Sequence, residues 1–320
     1  MAKTPTAKNW PGDPAIETHA ITRTFGTRTA VEDLTLSIPA GTVFGFLGPN
    51  GAGKTTTVRM LSALIAPTSG TALVAGHRIG AENTAVRRSV GILTETPGLY
   101  DQLSAWQNLM FFARLYDLDP RRASQQTDRY LKMLDLLDRR DELVGGFSKG
   151  MRQKLAIARA LLHEPTVVFL DEPTAGLDPE ASRTVRDFIK ELRTEGRTIM
   201  LTTHNLPEAD ELCDMIGVFR TRLLRLGTPE ALRAALFGRG TVVRVVDNAE
   251  TLAEVVRKLP FVKNVSQQGD SLSVTLDNPD DETPGLITAL VGAGAQIRSA
   301  EPIAHSLEDV YMQLVGSTTH

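Results

Sequence analysis

The sequence predicts an α/β domain built around a phosphate-binding loop, followed by a smaller α+β domain. Three observations carry that prediction. Residues 48–56 read Gly-Pro-Asn-Gly-Ala-Gly-Lys-Thr-Thr, directly after the apolar run Thr42-Val43-Phe44-Gly45-Phe46-Leu47. A G-x-x-x-x-G-K-[ST] loop therefore sits where a buried strand turns into a helix. Residues 15–227 alternate short β-like runs with helix-like runs, the pattern of a sheet covered by helices. Around Gly227-Thr228-Pro229-Glu230 that pattern changes and a new series of short elements begins.

Composition bounds the answer. A chain of 320 residues, 42% apolar and 23% charged, has room for one large domain and one small one. A net charge of −3 gives no global attraction to nucleic acid or anionic lipid, so neither partner follows from charge. The single cysteine, Cys213, excludes an internal disulfide framework and fits a reducing compartment. Its setting, Glu-Leu-Cys-Asp-Met-Ile, reads as a helix end entering a strand, which favours packing over a reactive thiol. No apolar run approaches the roughly 18 residues needed to span a bilayer, and the first residues lack a signal-peptide core. Residues 1–14, with Pro5, Pro11, Gly12 and Pro14, are expected to form a flexible tail. These signs predict a cytosolic chain.

The first strand-loop-helix unit predicts a nucleoside triphosphate site. Gly48, Gly51 and Gly53 lack Cβ atoms, so the backbone can curl and aim successive N–H groups inward. The helix that starts near Lys54 adds its positive end. The nucleotide-binding stretch is accordingly Gly48, Pro49, Asn50, Gly51, Ala52, Gly53, Lys54, Thr55 and Thr56. Lys54 is expected to reach the β- and γ-phosphates, and the Thr55 hydroxyl to ligate Mg²⁺.

Two further strands end in chemistry. Residues 166–170 form an apolar run that leads into Asp171-Glu172, which places both acids at the carboxyl edge where open α/β sheets keep their ligands. Asp171 is expected to hold Mg²⁺ through water, and Glu172 to act as the general base that orients the attacking water. Glu172-Pro173 also reads as an ordinary turn, and only the phosphate loop upstream lifts the pair above that. Residues 198–201 repeat the geometry and lead through Thr202-Thr203 to His204. His204 is expected to donate to the γ-phosphate and to help fix Glu172 and the water.

Between these strands lies a helical block at 104–140 holding Trp106, Phe111, Phe112, Tyr116 and Tyr130. Such clustering means either a local core or a partner-docking surface. Downstream, Phe147-Ser148-Lys149-Gly150-Met151 opens a helix with apolar residues at helical spacing, and Ser148 is a good N-cap. A helix start is an anion site. Since residues 48–56 already cradle the phosphates, this one makes sense facing another subunit's nucleotide.

After the boundary, a short helix precedes a strand at 241–246 and a helix at 249–259. A hairpin of Val262–Gln268 and Ser271–Leu276 turns at Gly269-Asp270. A helix at 284–292, a strand at 295–300 and a last helix at 306–315 complete it. The order β-α-β-β-α-β predicts a ferredoxin-like domain, with no catalytic motif.

Taken together, the phosphate loop, the Ser-x-Gly helix start, Leu170-Asp171-Glu172-Pro173 and the strand before His204 resemble the ATP-binding cassette of an ABC transporter, a P-loop NTPase. The resemblance spans residues 15–227, with a helical subdomain at about 96–160 and residues 228–320 left as an accessory domain. It implies further roles. Phe25, in Arg23-Thr24-Phe25-Gly26, matches the aromatic that stacks on adenine. Ser148 and Gly150 match the signature motif that closes over the opposite subunit's γ-phosphate. Asp178, in Gly176-Leu177-Asp178, matches the loop linking the two sites, and His204 matches the switch histidine.

Two departures stand out. Glu95 occupies the place of a glutamine that contacts Mg²⁺ and reports to the membrane domain, and Lys149 replaces the first glycine of the signature. Each is either functional or neutral drift. With the tail Pro302-Ile303-Ala304-His305-Ser306-Leu307-Glu308-Asp309-Val310-Tyr311, they resemble the exporter subset of antibiotic-resistance and sodium-extrusion ATPases. The resemblance implies ATP hydrolysis with Mg²⁺ and a head-to-tail dimer with a second cassette subunit. It also implies a separate transmembrane permease and a peripheral position on the cytoplasmic face of the membrane; residues 98–118, next to Glu95, either dock that permease or pack as local core. Two other readings compete. A soluble ATPase of this family acting on ribosomes or nucleic acid would need a second cassette, a coiled-coil insert or a basic arm, so no nucleic acid is expected. A non-hydrolysing nucleotide sensor would not need Glu172 and His204. A GTPase is disfavoured because no Asn-Lys-x-Asp motif occurs.

Overall fold

The computed structural model describes residues 13–94, 96–303 and 305–316. The chain divides into a unit ending at Pro229 and a unit beginning at Glu230. In the first unit the elements are, in order, β1 (Pro14–Phe25), β2 (Arg28–Pro39), β3 (Val43–Leu47) and α1 (Lys54–Leu61). Next come β4 (Ser69–Val74), β5 (His77–Arg78), α2 (Asn83–Ser89) and β6 (Val90–Leu93). The helical block holds α3 (Ala105–Leu115), α4 (Pro120–Met133) and α5 (Lys149–Leu161). The unit closes with β7 (Val167–Asp171), α6 (Pro179–Thr194), β8 (Thr198–Thr203), α7 (Leu206–Leu212), β9 (Met215–Arg220) and β10 (Arg222–Gly227).

Two sheets share one core. The larger has strand order β10-β9-β3-β8-β7-β6, parallel except for β10. Every residue of β3, β7 and β8 is buried, as expected of strands covered on both faces. The register pairs Leu47 with Thr203 and Asp171 with Thr202. Three strands therefore end at one edge, and that edge carries the site. The smaller sheet, order β2-β1-β4-β5, is antiparallel. Its Ile16, Ile21, Val31 and Leu34 join Phe44, Phe46, Phe169 and Met200 of the larger sheet around Val58, Met60 and Leu61 of α1. Helix α1 is thus held between the sheets, which fixes where its N-terminus points.

The helical block is set by its caps. Ser104 and Gln107 form a capping box on α3, and Asp119 caps α4, whose first residue is Pro120. The aromatic cluster is buried only in part. Tyr130 is fully buried and meets Phe188 edge-on at 6.3 Å, whereas Tyr100, Phe111 and Tyr116 remain partly exposed. The expected tail at 1–14 falls outside the described residues as far as residue 12, and Pro14 already begins β1.

The second unit contains α8 (Pro229–Phe237), β11 (Arg239–Val245), α9 (Ala249–Val256), β12 (Val262–Gln268), β13 (Ser271–Leu276), α10 (Pro279–Gly292), β14 (Ile297–Pro302) and α11 (Leu307–Gly316). Its strand order is β12-β13-β11-β14, with every neighbouring pair antiparallel. This is the split βαβ arrangement of a ferredoxin-like domain. Val243, Val245, Leu272 and Val274 pack against Leu252, Val256, Leu286 and Leu290. Several boundaries differ from expectation, β11 starting at Arg239 rather than 241 and α9 ending at Val256 rather than 259 among them, and two have a clear local cause. Helix α10 starts at Pro279 rather than at residue 284, because Asp280, Asp281 and Glu282 fill its first turn and Glu282 accepts from the N–H groups of Asp277 and Asn278 at 3.0 Å. Strand β14 starts two residues late because Gly294, at φ +87°, and Ala295 close the end of α10, donating to Val291 and Leu290.

Candidate nucleotide-binding site

The loop after β3 is shaped by close backbone approach. A Cβ on Gly53, at φ +106°, would lie 2.1 Å from the Ala30 carbonyl oxygen, and one on Gly48 would lie 2.2 Å from that of Phe219. Only glycine fits either place. The loop leads into α1, whose N-terminus has no side-chain cap and no acid in its first turn. Its first N–H groups are left for an anion. Lys54 is buried, and its Nζ donates to the carbonyls of Gly48 at 2.6 Å and Pro49 at 3.2 Å. Burial holds its pKa below the usual lysine range, opposed by the nearby Glu172 and Asp171.

Across the strand edge, the Thr55 hydroxyl donates to Asp171 Oδ2 at 2.9 Å, and Thr202 Oγ1 donates to Asp171 Oδ1. Asp171 ends β7 and is buried; the next residue, Glu172, turns at φ +50°. That left-handed conformation is unfavourable for a residue with a Cβ. It is held by two bonds from the Glu172 N–H, to Thr202 O at 3.1 Å and Thr202 Oγ1 at 3.2 Å. The Glu172 side chain then meets His204, with Oε2 and Nδ1 2.8 Å apart.

An open cavity of about 710 Å³ brings these groups together. Residues 50–56 line it with Asp171, Glu172 and His204, and Phe25, Arg28 and Ala30 reach it from the antiparallel sheet. Phe25 is 47% exposed, and the Arg23 guanidinium lies over its ring at 4.5 Å from the centroid. Gly48 and Pro49 do not line the cavity; they hold Lys54 through their carbonyls.

The remaining sequence candidates lie elsewhere. Ser148 caps α5 by accepting from the Met151 N–H at 3.2 Å. Asp178 caps α6 by accepting from Glu180 at 3.1 Å and Ala181 at 2.9 Å, and these N–H groups, Ala181 foremost, lower its pKa. A Cβ on Gly150 would lie 3.0 Å from Ala181 Cβ, so the starts of α5 and α6 pack together in a second cluster. Lys149 belongs to it, with its Nζ 2.2 Å from where a Cβ of Gly176 would be. Glu95 lies outside the described residues.

Sequence reasoning missed Arg28 and Ala30, since nothing in the chain marks the β1–β2 hairpin as a cavity wall. It also gave no role to Thr202, although a threonine in the apolar run before His204 was a usable signal. Glu208 was missed as well; it is buried, with its pKa raised by burial.

A strand-edge cavity with a glycine loop, a buried lysine and a carboxylate–histidine pair defines the class, a P-loop nucleotide hydrolase. Comparison with known proteins gives the family. The ABC transporter family model matches residues 31–175, and the model of the DrrA1-3-like ATP-binding protein C-terminal domain matches residues 227–315. The chain is 38% identical over 306 residues to the daunorubicin resistance ATP-binding protein DrrA3 of Streptomyces coeruleorubidus, covering 95% of this chain and 96% of that one. It is 33% identical to the Nod factor export ATP-binding protein I of Rhizobium sp. (strain N33), covering 94% and 97%. Among solved structures, an ATP-binding subunit of an ABC transporter superposes with a TM-score of 0.65 at 30% identity, over 70% of this chain and 94% of that one. The cbiO1 protein from Clostridium perfringens superposes at 0.64 and 27% identity, over 78% and 96%. The chain belongs to the ABC transporter family as an ATP-binding, ATP-hydrolysing subunit. Among the described residues, no helix is long and apolar enough to cross a membrane.

Proposed function

We propose that this subunit drives export through a separate membrane protein, and that Glu172 and His204 organise hydrolysis in the cavity above β3, β7 and β8. The observation that carries the site is the 2.8 Å contact between Glu172 and His204 at the mouth of a phosphate loop. Adenine stacks on Phe25, whose ring already carries Arg23. The phosphates meet the N–H groups of residues 50–56 and the start of α1. Lys54 exchanges its bonds to Gly48 and Pro49 for the β- and γ-phosphates.

Mg²⁺ fits the donor set. Thr55 Oγ1 and Asp171 Oδ2 are hard oxygen ligands 2.9 Å apart on the cavity wall. Mg²⁺ needs only one or two protein oxygens when phosphates complete its shell. Held by Thr55 and Asp171, such an ion would supply positive charge to offset that of the phosphates. Glu95 would join this shell and report its state toward residues 98–118. In that segment Tyr100, Phe111, Leu115 and Tyr116 are exposed, and Arg159 links the Pro97 carbonyl to the Phe112 ring. This is the surface we assign to the membrane subunit.

For hydrolysis, Glu172 orients the attacking water and accepts its proton as the new O–P bond forms and the bond from the γ-phosphorus to the β–γ bridging oxygen breaks, ADP being the leaving group. His204 places Nδ1 on Glu172, which leaves Nε2 for the γ-phosphate. Donating to both at once requires both ring nitrogens to be protonated. Ser148 and Gly150 open a helix start outside this cavity, so they serve the nucleotide of a second copy, and Asp178 beside them links the two sites. The assembly is then a head-to-tail dimer on the cytoplasmic face of the membrane. Relatives named for drug resistance and Nod factor export support the outward direction. Purifying the tagged chain from its native membrane tests the assembly: a permease should co-purify and stimulate ATP hydrolysis. Recovery with ribosomes or nucleic acid instead would overturn the transport reading.

A further inference from the structure

We propose that Glu208 is a positioning residue that sets the spacing of Glu172 and His204 by holding the hydroxyls of Thr174 and Thr203 on one carboxylate oxygen. Glu208 lies on α7 and is 3% exposed. Its Oε2 accepts from Thr174 Oγ1 at 2.8 Å and from Thr203 Oγ1 at 3.3 Å. Its Oε1 is buried and has no hydrogen-bond partner among the described residues. A buried carboxyl with one bare oxygen is costly, whereas an apolar side chain would fill the same place at no such cost. The two threonine bonds are what the site gains in return.

Those threonines are neighbours of the catalytic pair. Thr203 adjoins His204 at the end of β8, and Thr174 follows Glu172 across Pro173. Proline fixes its own φ, so the Glu172-Pro173-Thr174 segment is short and stiff. Its other anchors are the bonds from Glu172 to Thr202 and from Gln153 Nε2 to the Pro173 carbonyl at 3.0 Å. The hydroxyl direction at Thr203 is also settled. Its Oγ1 accepts from the Asn205 N–H at 2.9 Å, so its proton is free to go to Glu208. One carboxylate oxygen thus ties the segment carrying Glu172 to the segment carrying His204. Arg186, the cation that favours the charged form of Glu208, is paired with Glu211 at 3.4 Å, so an ion pair does not explain the carboxylate.

This inference rests on the assignment of Glu172 and His204 to hydrolysis. The test is steady-state ATP hydrolysis by the full chain and five variants: Glu208→Ala, Glu208→Gln, Thr174→Val, the double variant of Glu208→Ala with Thr174→Val, and Glu172→Gln. Removing the clamp should lower kcat about 10-fold or more in Glu208→Ala while KM for ATP stays within about three-fold, because binding groups are untouched. Glu208→Gln keeps an acceptor oxygen and should hold kcat within about three-fold of the parent chain. Thr174→Val should match Glu208→Ala, and combining the two should add little, as for residues acting through one contact. Wild-type kcat in Glu208→Ala, a glutamine as harmful as alanine, or a loss expressed in KM would overturn the proposal. Should Glu208→Ala not fold, the near-isosteric Thr174→Val decides alone, and wild-type kcat there is fatal. Hydrolysis by Glu172→Gln at the parent rate would remove the catalytic pair itself. An inactive Glu172→Gln beside a fully active Glu208→Ala would sink only the clamp.

Discussion

Glu172 and His204 sit 2.8 Å apart, one just beyond the end of β7 and the other just beyond β8. Because the two strands are parallel neighbours with Asp171 opposite Thr202, the contact follows from sheet register. It does not depend on a flexible loop finding its place. Any change that shifts that register, or removes either side chain, should act on turnover before it acts on binding.

Binding should depend on Lys54. The Lys54→Ala variant loses the cation proposed to meet the β- and γ-phosphates and leaves the Gly48 and Pro49 carbonyls without their donor. Calorimetry should show ATP affinity reduced by about 100-fold or more, the scale of losing a buried charged hydrogen bond. Unchanged affinity would remove the phosphate-loop assignment.

The loop should tolerate no side chain at Gly53. In Gly53→Ala the new methyl would meet the Ala30 carbonyl at 2.1 Å, on a backbone at φ +106°. A thermal melt should show destabilisation by about 1–3 kcal/mol from backbone strain, together with weaker nucleotide binding. A variant with parental stability and affinity would mean that the β1–β2 hairpin does not pack on the loop as described.

Cys213 should be inert in the native chain. It is buried beside Gly45, and burial, with help from Glu208, Asp214 and Asp210, pushes its thiol well above the usual range. An alkylating reagent near pH 8 should label it more than about 100-fold faster in denaturant than in native buffer. Equal rates would contradict the packing of the end of α7 against Gly45 of β3.

Glu208 should leave a pH signature. Burial raises its folded pKa above the usual glutamate value of 4.5, so the native state holds its proton more tightly than the unfolded state. The stability it contributes is present below about pH 4.5 and is lost as pH rises through the folded pKa. Glutamine mimics the protonated form at every pH. Glu208→Gln should therefore be more stable relative to the parent chain at about pH 7.5 than at about pH 4.5. Denaturant unfolding at the two pH values measures it; a difference that falls with pH would contradict the burial of Glu208.

Much of the nucleotide site was legible because its parts are local. A glycine loop after an apolar run, an Asp-Glu pair after another and a histidine after a third each announce themselves in a few residues. Parallel register then places them together, with Leu47, Asp171 and Thr203 at one edge. What the chain does not announce is contact at a distance. Arg28 and Ala30 reach the cavity from a hairpin whose alternating residues, half buried on one face, carry no chemical motif. Glu208 looks like a solvent-facing helical acid, and only folding shows it buried beneath Thr174 and Thr203. In the second unit the topology was readable from the order of elements, while the start of α10 was not. Pro284 looks like a first helical residue, yet the acids before it already stabilise the first turn.

The role of Glu172 is tested most directly by Glu172→Gln, examined for phosphate release and for mass in solution with and without ATP. The amide keeps the shape of the side chain but cannot act as a base toward water. The variant should bind ATP, release no phosphate and elute as a dimer with ATP and a monomer without it. Phosphate release at the rate of the parent chain would show that the water is activated elsewhere and that Glu172 is not the base.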